Sequence, residues 1–214
     1  WSSDVCSSDL LVIDGPEEDF RANNLDFYAD VKETPIVKTA DKCFRFIHIE
    51  GAHVPFRYDK DVNPIPSYRG SYEQNVEATM TIVDRYLEKL QAAGVYDNST
   101  IIVMADHGYG YNRADTTLGR GCPLLAVKGI GEHHETMQFD DAPISYVDLQ
   151  EAYLRLLDGK PSSQVFDWKT GDPRTRRILI YEYTYEDRMA EYQCEGHASV
   201  YQNLVPTGRT FYAE

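Results

Sequence analysis

Two short clusters carry the side chains that could do chemistry. The first is Thr100–Gly108, TIIVMADHG, a β-branched apolar run that ends abruptly in Asp106-His107-Gly108. The run reads as a buried strand. An ionisable pair at a buried strand's end is costly unless something compensates it, and a divalent metal is the usual compensation. Asp106 offers a hard anionic oxygen and His107 a borderline nitrogen, a set that suits zinc or manganese, with calcium or magnesium as alternatives. Gly108 lets the backbone turn away sharply. Asp106 and His107 are then left facing the crevice outside the strand's carboxyl end, where open α/β sheets hold their ligands.

The second cluster is Phe44–Phe56, FRFIHIEGAHVPF. Phe44 to Glu50 looks like a strand that stops at Gly51. By strand alternation Phe44, Phe46, His48 and Glu50 share one face. His48 reads either as a ligand to substrate or as a hydrogen-bonded core histidine. His53 follows a strand end and a glycine and is better placed for a site. If this strand and Thr100–Ala105 are parallel neighbours, His53, Asp106 and His107 emerge at the same edge of the sheet.

The elements that must position these groups are legible in part. Leu11 to Asp41 is irregular and mixed. Ala52 to Tyr68 carries Pro55, Pro64 and Pro66 and reads as a surface loop. Ser71 and Gln74 make a capping-box pattern. Val76, Met80, Val83, Leu87 and Leu90 then recur at helical spacing as a core-packing stripe, and Gly94 sits where a helix ends. Tyr109 to Gly121 is a polar loop, Pro123–Lys128 a short buried strand, and Ser145–Leu157 a helix. From Val165 the character changes. Arg174, Arg176 and Arg177 read as a solvated turn, or as a basic patch beside an anionic membrane surface. They precede an alternating, tyrosine-rich strand, Ile178–Tyr183. The order of elements predicts a layered α/β domain with a mostly parallel sheet and a small C-terminal β-rich appendage.

With 214 residues, 42% of them hydrophobic and 26% charged, the chain has an ordinary globular composition. Its net charge of −14 argues against a nucleic-acid backbone as partner. An anionic substrate would need local metal or arginine charge. Trp1–Leu10, WSSDVCSSDL, reads as the translation of a sequencing adapter and is set aside, Cys6 with it. Cys43, Cys122 and Cys194 form no disulfide framework and no Cys-x-x-Cys site. His133-His134 reads as a solvated pair and His197 as structural. No run is long enough to span a membrane and no signal peptide is visible.

Phe46–Phe56, the helix after it, and Tyr96–Gly108 with its Asp97-Asn98-Ser99-Thr100 turn together resemble the C-terminal half of a sulfatase-like protein of the alkaline phosphatase superfamily. The nearest branch is that of lipoteichoic acid synthases and phosphoethanolamine transferases. The resemblance runs from about Phe44 to Gly159. It implies a partial alkaline-phosphatase-like α/β/α sandwich over residues 11–160, with 161–214 as a β-rich subdomain. It implies one divalent metal held by Asp106 and His107, together with an acidic residue and a threonine nucleophile from an N-terminal half. It also implies that His53 contacts the transferred group. No stretch upstream of Phe44 resembles the nucleophile strand, so the chain is expected to be a fragment, inactive alone and poorly soluble. Related transferases carry a histidine downstream of Asp-His-Gly where this chain has Arg120. That arginine could grip a substrate oxyanion bidentately, or simply be an exposed loop residue.

The resemblance therefore implies a metal-dependent phosphoryl transferase or hydrolase acting on a phospho- or sulfo-ester of a bacterial envelope glycan or lipid. It would work at the extracytoplasmic face of the cell membrane, anchored through N-terminal segments. A true sulfatase, a sulfuric ester hydrolase, is the alternative within the enzymes. A non-catalytic sulfatase-like binding module is the alternative outside them.

Overall fold

The computed structural model of the chain describes residues 20–37, 43–109, 120–182 and 188–212, without side chains at 20–23 and 182. Trp1–Leu10 lies outside these residues, as do positions 110–119 of the loop expected over Tyr109–Gly121. The chain divides into two compact units, Trp1–Asp97 and Asn98–Glu214.

The first unit is built on two helices, α1 (Phe20–Glu33) and α2 (Tyr72–Ala92). The irregular reading of Leu11–Asp41 is corrected here. Asn24, Phe27 and Val31 fall on one helical face and are all buried. The asparagine in that register hides the apolar period from the sequence. Helix α2 starts as expected: Ser71 Oγ accepts the Gln74 amide at 3.2 Å and Gln74 Oε1 accepts the Ser71 amide at 3.1 Å. It ends in a Schellman motif. Val95 N donates to Leu90 O at 3.0 Å and Gly94 N to Gln91 O at 2.9 Å, with Gly94 at φ +67°.

The stripe expected to pack the core is rotated. The buried positions of α2 are Asn75, Ala78, Ile82 and Leu90, while Met80 is exposed and Val76, Val83 and Leu87 are half-buried. Ala78 and Ile82 join Phe27, Val31, Tyr58 and Val62 in one apolar cluster. Small Ala78 admits the close approach of the loop carrying Tyr58 and Val62, which outweighs the larger apolar stripe beside it.

Among the described residues Phe44–Glu50 joins neither sheet, and only Ile47 makes a single β-bridge. The alternation survives: Ile47 and Ile49 pack on the helical cluster, while Phe44, Phe46 and His48 face out. His48 is exposed, so it is not a core histidine. The loop beyond is closed by Asp59, whose Oδ1 accepts the amides of Asp61 at 3.0 Å and Asn63 at 2.9 Å. Those hydrogen bonds, from Asn63 first, hold the Asp59 carboxyl below its ordinary range.

The second unit contains both described sheets. Strand β1 (Ile101–Met104) pairs antiparallel with β2 (Leu125–Lys128), Ile101 opposite Lys128 and Met104 opposite Leu125. This corrects the expectation of a mostly parallel sheet: every strand pair among the described residues is antiparallel. The physical reason lies in the connection. The ladder continues past β1, with Ala105 N on Leu124 O at 3.1 Å and Gly108 N on Arg120 O at 3.0 Å, so the chain folds back on itself. Short apolar runs do not distinguish strand direction, and both strands are only half-buried rather than covered on two faces.

A 3₁₀ turn, Tyr146–Asp148, leads into α3 (Leu149–Leu157). Beyond it lie β3 (Thr175–Glu182), β4 (Arg188–Glu195) and β5 (Leu204–Tyr212), a three-stranded antiparallel sheet in the order β3-β4-β5. Arg174 is not in a solvated turn. It forms a fork with Asp148 at 2.6 and 3.0 Å, donates to Pro143 O at 3.0 Å, and lies over the Trp168 ring. The mixed helix and strand content is that of a partial α/β domain.

Candidate active site

Asp106 and His107 leave the end of β1, where the hairpin ladder has not yet let go. Asp106 Oδ1 accepts the His107 amide at 3.0 Å, which turns Oδ2 outward, and the side chain is 90% exposed. His107 Nδ1 lies 2.7 Å from Gly108 O. A carbonyl only accepts, so Nδ1 carries the proton and the neutral ring keeps its lone pair on Nε2. A backbone carbonyl setting the tautomer in this way is how metal-ligating histidines are usually oriented. Nε2 stands 3.9 Å from Asp106 Oδ2.

These two atoms suit a divalent ion in kind. Two ligand atoms on one ion lie about 3.0–3.4 Å apart for bonds of about 2.1 Å, so a small rotation of either side chain closes the gap. They are half of a shell. Among the described residues no group of three or more His, Cys, Asp or Glu comes together.

Tyr146 holds this corner in place. Its hydroxyl reaches Ala105 O and, at 3.1 Å, Leu124 O, so it spans the two strands one residue before Asp106. Burial, and then the charge of Asp106, push its pKa up to about 12. The phenol therefore stays protonated at neutral pH and can donate. Tyr153 OH reaches Met104 Sδ at 3.2 Å from the same helical segment. Arg120 lies beside the pair through its main chain, its carbonyl taking the Gly108 amide. The structure thus brings Asp106, His107 and Arg120 together on one hairpin.

In the first unit His48 and His53 flank a turn closed by His53 N on Glu50 O at 3.3 Å. His53 is exposed, and its Nδ1 lies 2.5 Å from Val54 O. This repeats the Nδ1-to-carbonyl contact of His107. Two buried asparagines hold the segment. Asn24, 3% exposed, accepts Glu50 N at 3.2 Å and donates to Gly51 O at 3.5 Å. Asn75, 1% exposed, accepts both Arg57 N and Tyr58 N at 3.1 Å and donates to His53 O at 3.4 Å. Tyr146, Asn24 and Asn75 were not read from the sequence as site residues. The available signal was a polar residue in a core-facing register of a helix, at Asn24 with Phe27 and Val31, and at Asn75 with Ala78 and Ile82.

The remaining candidates are structural. His134 pairs with Glu132 at 3.0 Å, while Glu132 Oε2 accepts the Gly129 amide at 2.6 Å. His197 Nδ1 accepts from Ser199 N at 3.2 Å and its Nε2 faces Asp141 at 3.5 Å.

A family model described as Sulfatase matches residues 23–157, more than half of the chain. The chain belongs to the sulfatase family. As a sulfatase-like member of the alkaline phosphatase superfamily, it carries His48, His53, Asp106, His107 and Arg120 inside the matched range, while β3, β4 and β5 lie beyond it. Neither the curated proteins nor the solved structures include a match to the chain. Sulfatase-family members generally bind a divalent metal, and membership points to hydrolase or transferase activity in general.

Proposed function

We propose that this sulfatase-family chain contributes to a metal-dependent phosphoryl-group transferase or hydrolase of the lipoteichoic acid synthase and phosphoethanolamine transferase type. Its substrate is an anionic phospho-ester on an envelope glycan or lipid, handled at the extracytoplasmic face of a bacterial membrane. No helix among the described residues is long and apolar enough to cross a membrane. Anchoring is part of the proposal and comes from the resemblance.

The observation that carries the reading is the Asp106–His107 pair: one carboxylate oxygen and one imidazole lone pair, both outward, at the end of β1. A divalent ion, when bound there, supplies positive charge to polarise the ester and offset charge developing on its oxygens. Asp106 and His107 hold that ion, and Tyr146 keeps the hairpin that aims them. His53 is the side chain proposed to exchange a proton with an attacking or leaving hydroxyl. Arg120 is suited to gripping a non-bridging oxygen.

The test is metal uptake together with turnover on the intact protein. Zinc or manganese is retained at about one ion per chain, in keeping with a single site, and is lost in the Asp106→Ala/His107→Ala double variant. Bis(p-nitrophenyl) phosphate is cleaved faster than p-nitrophenyl sulfate. Preference for the sulfate ester moves the assignment to a sulfuric ester hydrolase. A protein that neither binds metal nor turns over either ester is a binding module.

A further inference from the structure

The contacts that fix His197 in the fold also leave it oriented as a base. It follows β4 and Gly196, which has φ +89°. A β-carbon at Gly196 would come within 2.8 Å of Asn203 Nδ2, the group that donates to His197 O at 3.0 Å. The turn carrying His197 therefore requires glycine there. The Ser199 amide donates to His197 Nδ1 at 3.2 Å. An amide only donates, so in the neutral ring Nδ1 holds the lone pair and Nε2 the proton. Ser199 Oγ lies 2.5 Å from the same Nδ1, so its hydroxyl donates to the imidazole. That is the geometry in which a histidine takes the proton of a serine nucleophile.

Nε2 faces Asp141 Oδ1 at 3.5 Å. Asp141 comes from a separate loop, fixed by Asp140 Oδ1, which accepts the Ala142 amide at 2.8 Å and the Thr170 hydroxyl at 2.6 Å. Asp141, His197 and Ser199 all belong to the second unit. Asp141 and His197 line one cavity of about 590 Å³, a size that holds a small ligand. Asp172 and Glu195 line it too, and Arg174 on its wall is committed to its fork with Asp148. The cavity therefore favours a positively charged guest.

We propose that Ser199 is a nucleophile activated by His197 and supported by Asp141, and that it cleaves acyl esters or thioesters carrying a cationic group. Ser199 Oγ forms a bond to the acyl carbon while its proton passes to His197 Nδ1. The bond from that carbon to the leaving oxygen or sulfur breaks, and Nδ1 returns the proton to the departing alkoxide or thiolate. Water then attacks the acyl-serine and gives a proton to Nδ1. Ser199 Oγ leaves, recovers that proton, and the carboxylic acid is released. Asp141 stays ionised and faces the imidazolium as it forms, with the two ring nitrogens in exchanged roles relative to serine proteases. The site uses neither Asp106 nor His107.

The test treats the full chain, in EDTA, with a biotin-tagged fluorophosphonate and maps the adduct by peptide mass spectrometry. Ser199 Oγ should displace fluoride from phosphorus faster than any other serine of the chain does. His197→Gln should slow that labelling about 100-fold or more, the size of general-base assistance. Asp141→Asn should slow it only about two- to fivefold, as suits a pair whose side chains are 51% and 72% exposed. Urea melts show that each variant keeps its fold. Acetylthiocholine should be hydrolysed about two- to fivefold faster in kcat/KM than 3,3-dimethylbutyl thioacetate, its uncharged isostere. A Ser199 no more reactive than the other serines overturns the proposal without reference to any variant. So does a folded His197→Gln chain that labels at the original rate. A chain that labels at Ser199 but hydrolyses neither thioester overturns the esterase assignment, and equal rates on the two overturn the cationic preference. EDTA keeps metal from the Asp106–His107 pair, so each of these results leaves the metal reading standing.

Discussion

Replacing Asn75 by alanine should free the loop that carries His53 while leaving most of α2 intact. Asn75 is 1% exposed, and its Oδ1 is the acceptor for two main-chain amides, those of Arg57 and Tyr58. Alanine removes that acceptor and the donor to His53 O without giving water a way in. Each orphaned amide costs about 1–3 kcal/mol. The Tyr58 amide is buried and takes the larger value, while Arg57 is partly hydrated and takes the smaller. The sum is about 3–4 kcal/mol, large against a total stability of about 5–15 kcal/mol for a domain. Native-state hydrogen exchange on the full chain reads it directly. The Arg57 and Tyr58 amides should lose protection by that amount, about two to three orders of magnitude in exchange rate. Amides in the middle of α2 should lose less. Asn75→Asp keeps an acceptor for both amides and should retain part of the protection. Unchanged exchange at Arg57 and Tyr58 in a folded Asn75→Ala chain would refute the reasoning, because the clamp would then not be holding the loop.

Two further outcomes follow from the second unit. Tyr146→Phe removes the hydroxyl bridging Ala105 O and Leu124 O and should lower stability by about 0.5–1.5 kcal/mol in urea melts. Its phenol is raised from 10.0 to about 12, so its contribution is fully present below pH 10. That contribution fades as pH rises from 10 toward 12, and the variant should lack this alkaline component. Arg174→Ala leaves Asp148, whose side chain is 20% exposed, with the Ser145 amide still donating to it. The loss should be about 2 kcal/mol in urea melts, below the usual figure for a fully buried pair, and it should be smaller in an Asp148→Asn background, which keeps an acceptor for the Ser145 amide without the charge.

Local features were legible in the sequence where the architecture was not. The strand ending in Asp106-His107-Gly108 was legible because a β-branched run meeting an Asp-His-Gly turn is unusual and local. The Ser71–Gln74 cap and the Gly94 stop were legible for the same reason: each is decided within one turn of helix. Strand direction was not, since Ile101–Met104 and Leu125–Lys128 read alike whether paired parallel or antiparallel. The pairing is settled by main-chain bonds such as Gly108 N to Arg120 O, which leave no mark on residue type. Helix α1 was missed because its buried face includes Asn24, and the core line of α2 was misplaced because it includes Asn75 and Ala78. Those asparagines interrupt the apolar period because they hold the Glu50–Tyr58 segment. Arg174 was misread because its fork with Asp148 spans 26 positions.

The central claim is that Asp106 and His107 together hold a divalent cation. Imidazole ¹⁵N spectra of the full chain during zinc titration test it most directly. In the metal-free chain the neutral form of the His107 ring should carry its proton on Nδ1, against Gly108 O. Zinc should shift Nε2 and leave Nδ1 protonated against Gly108 O, and Asp106→Asn should weaken that response about tenfold or more. A His107 ring whose Nε2 ignores zinc, or responds equally well without the Asp106 carboxylate, would contradict the account.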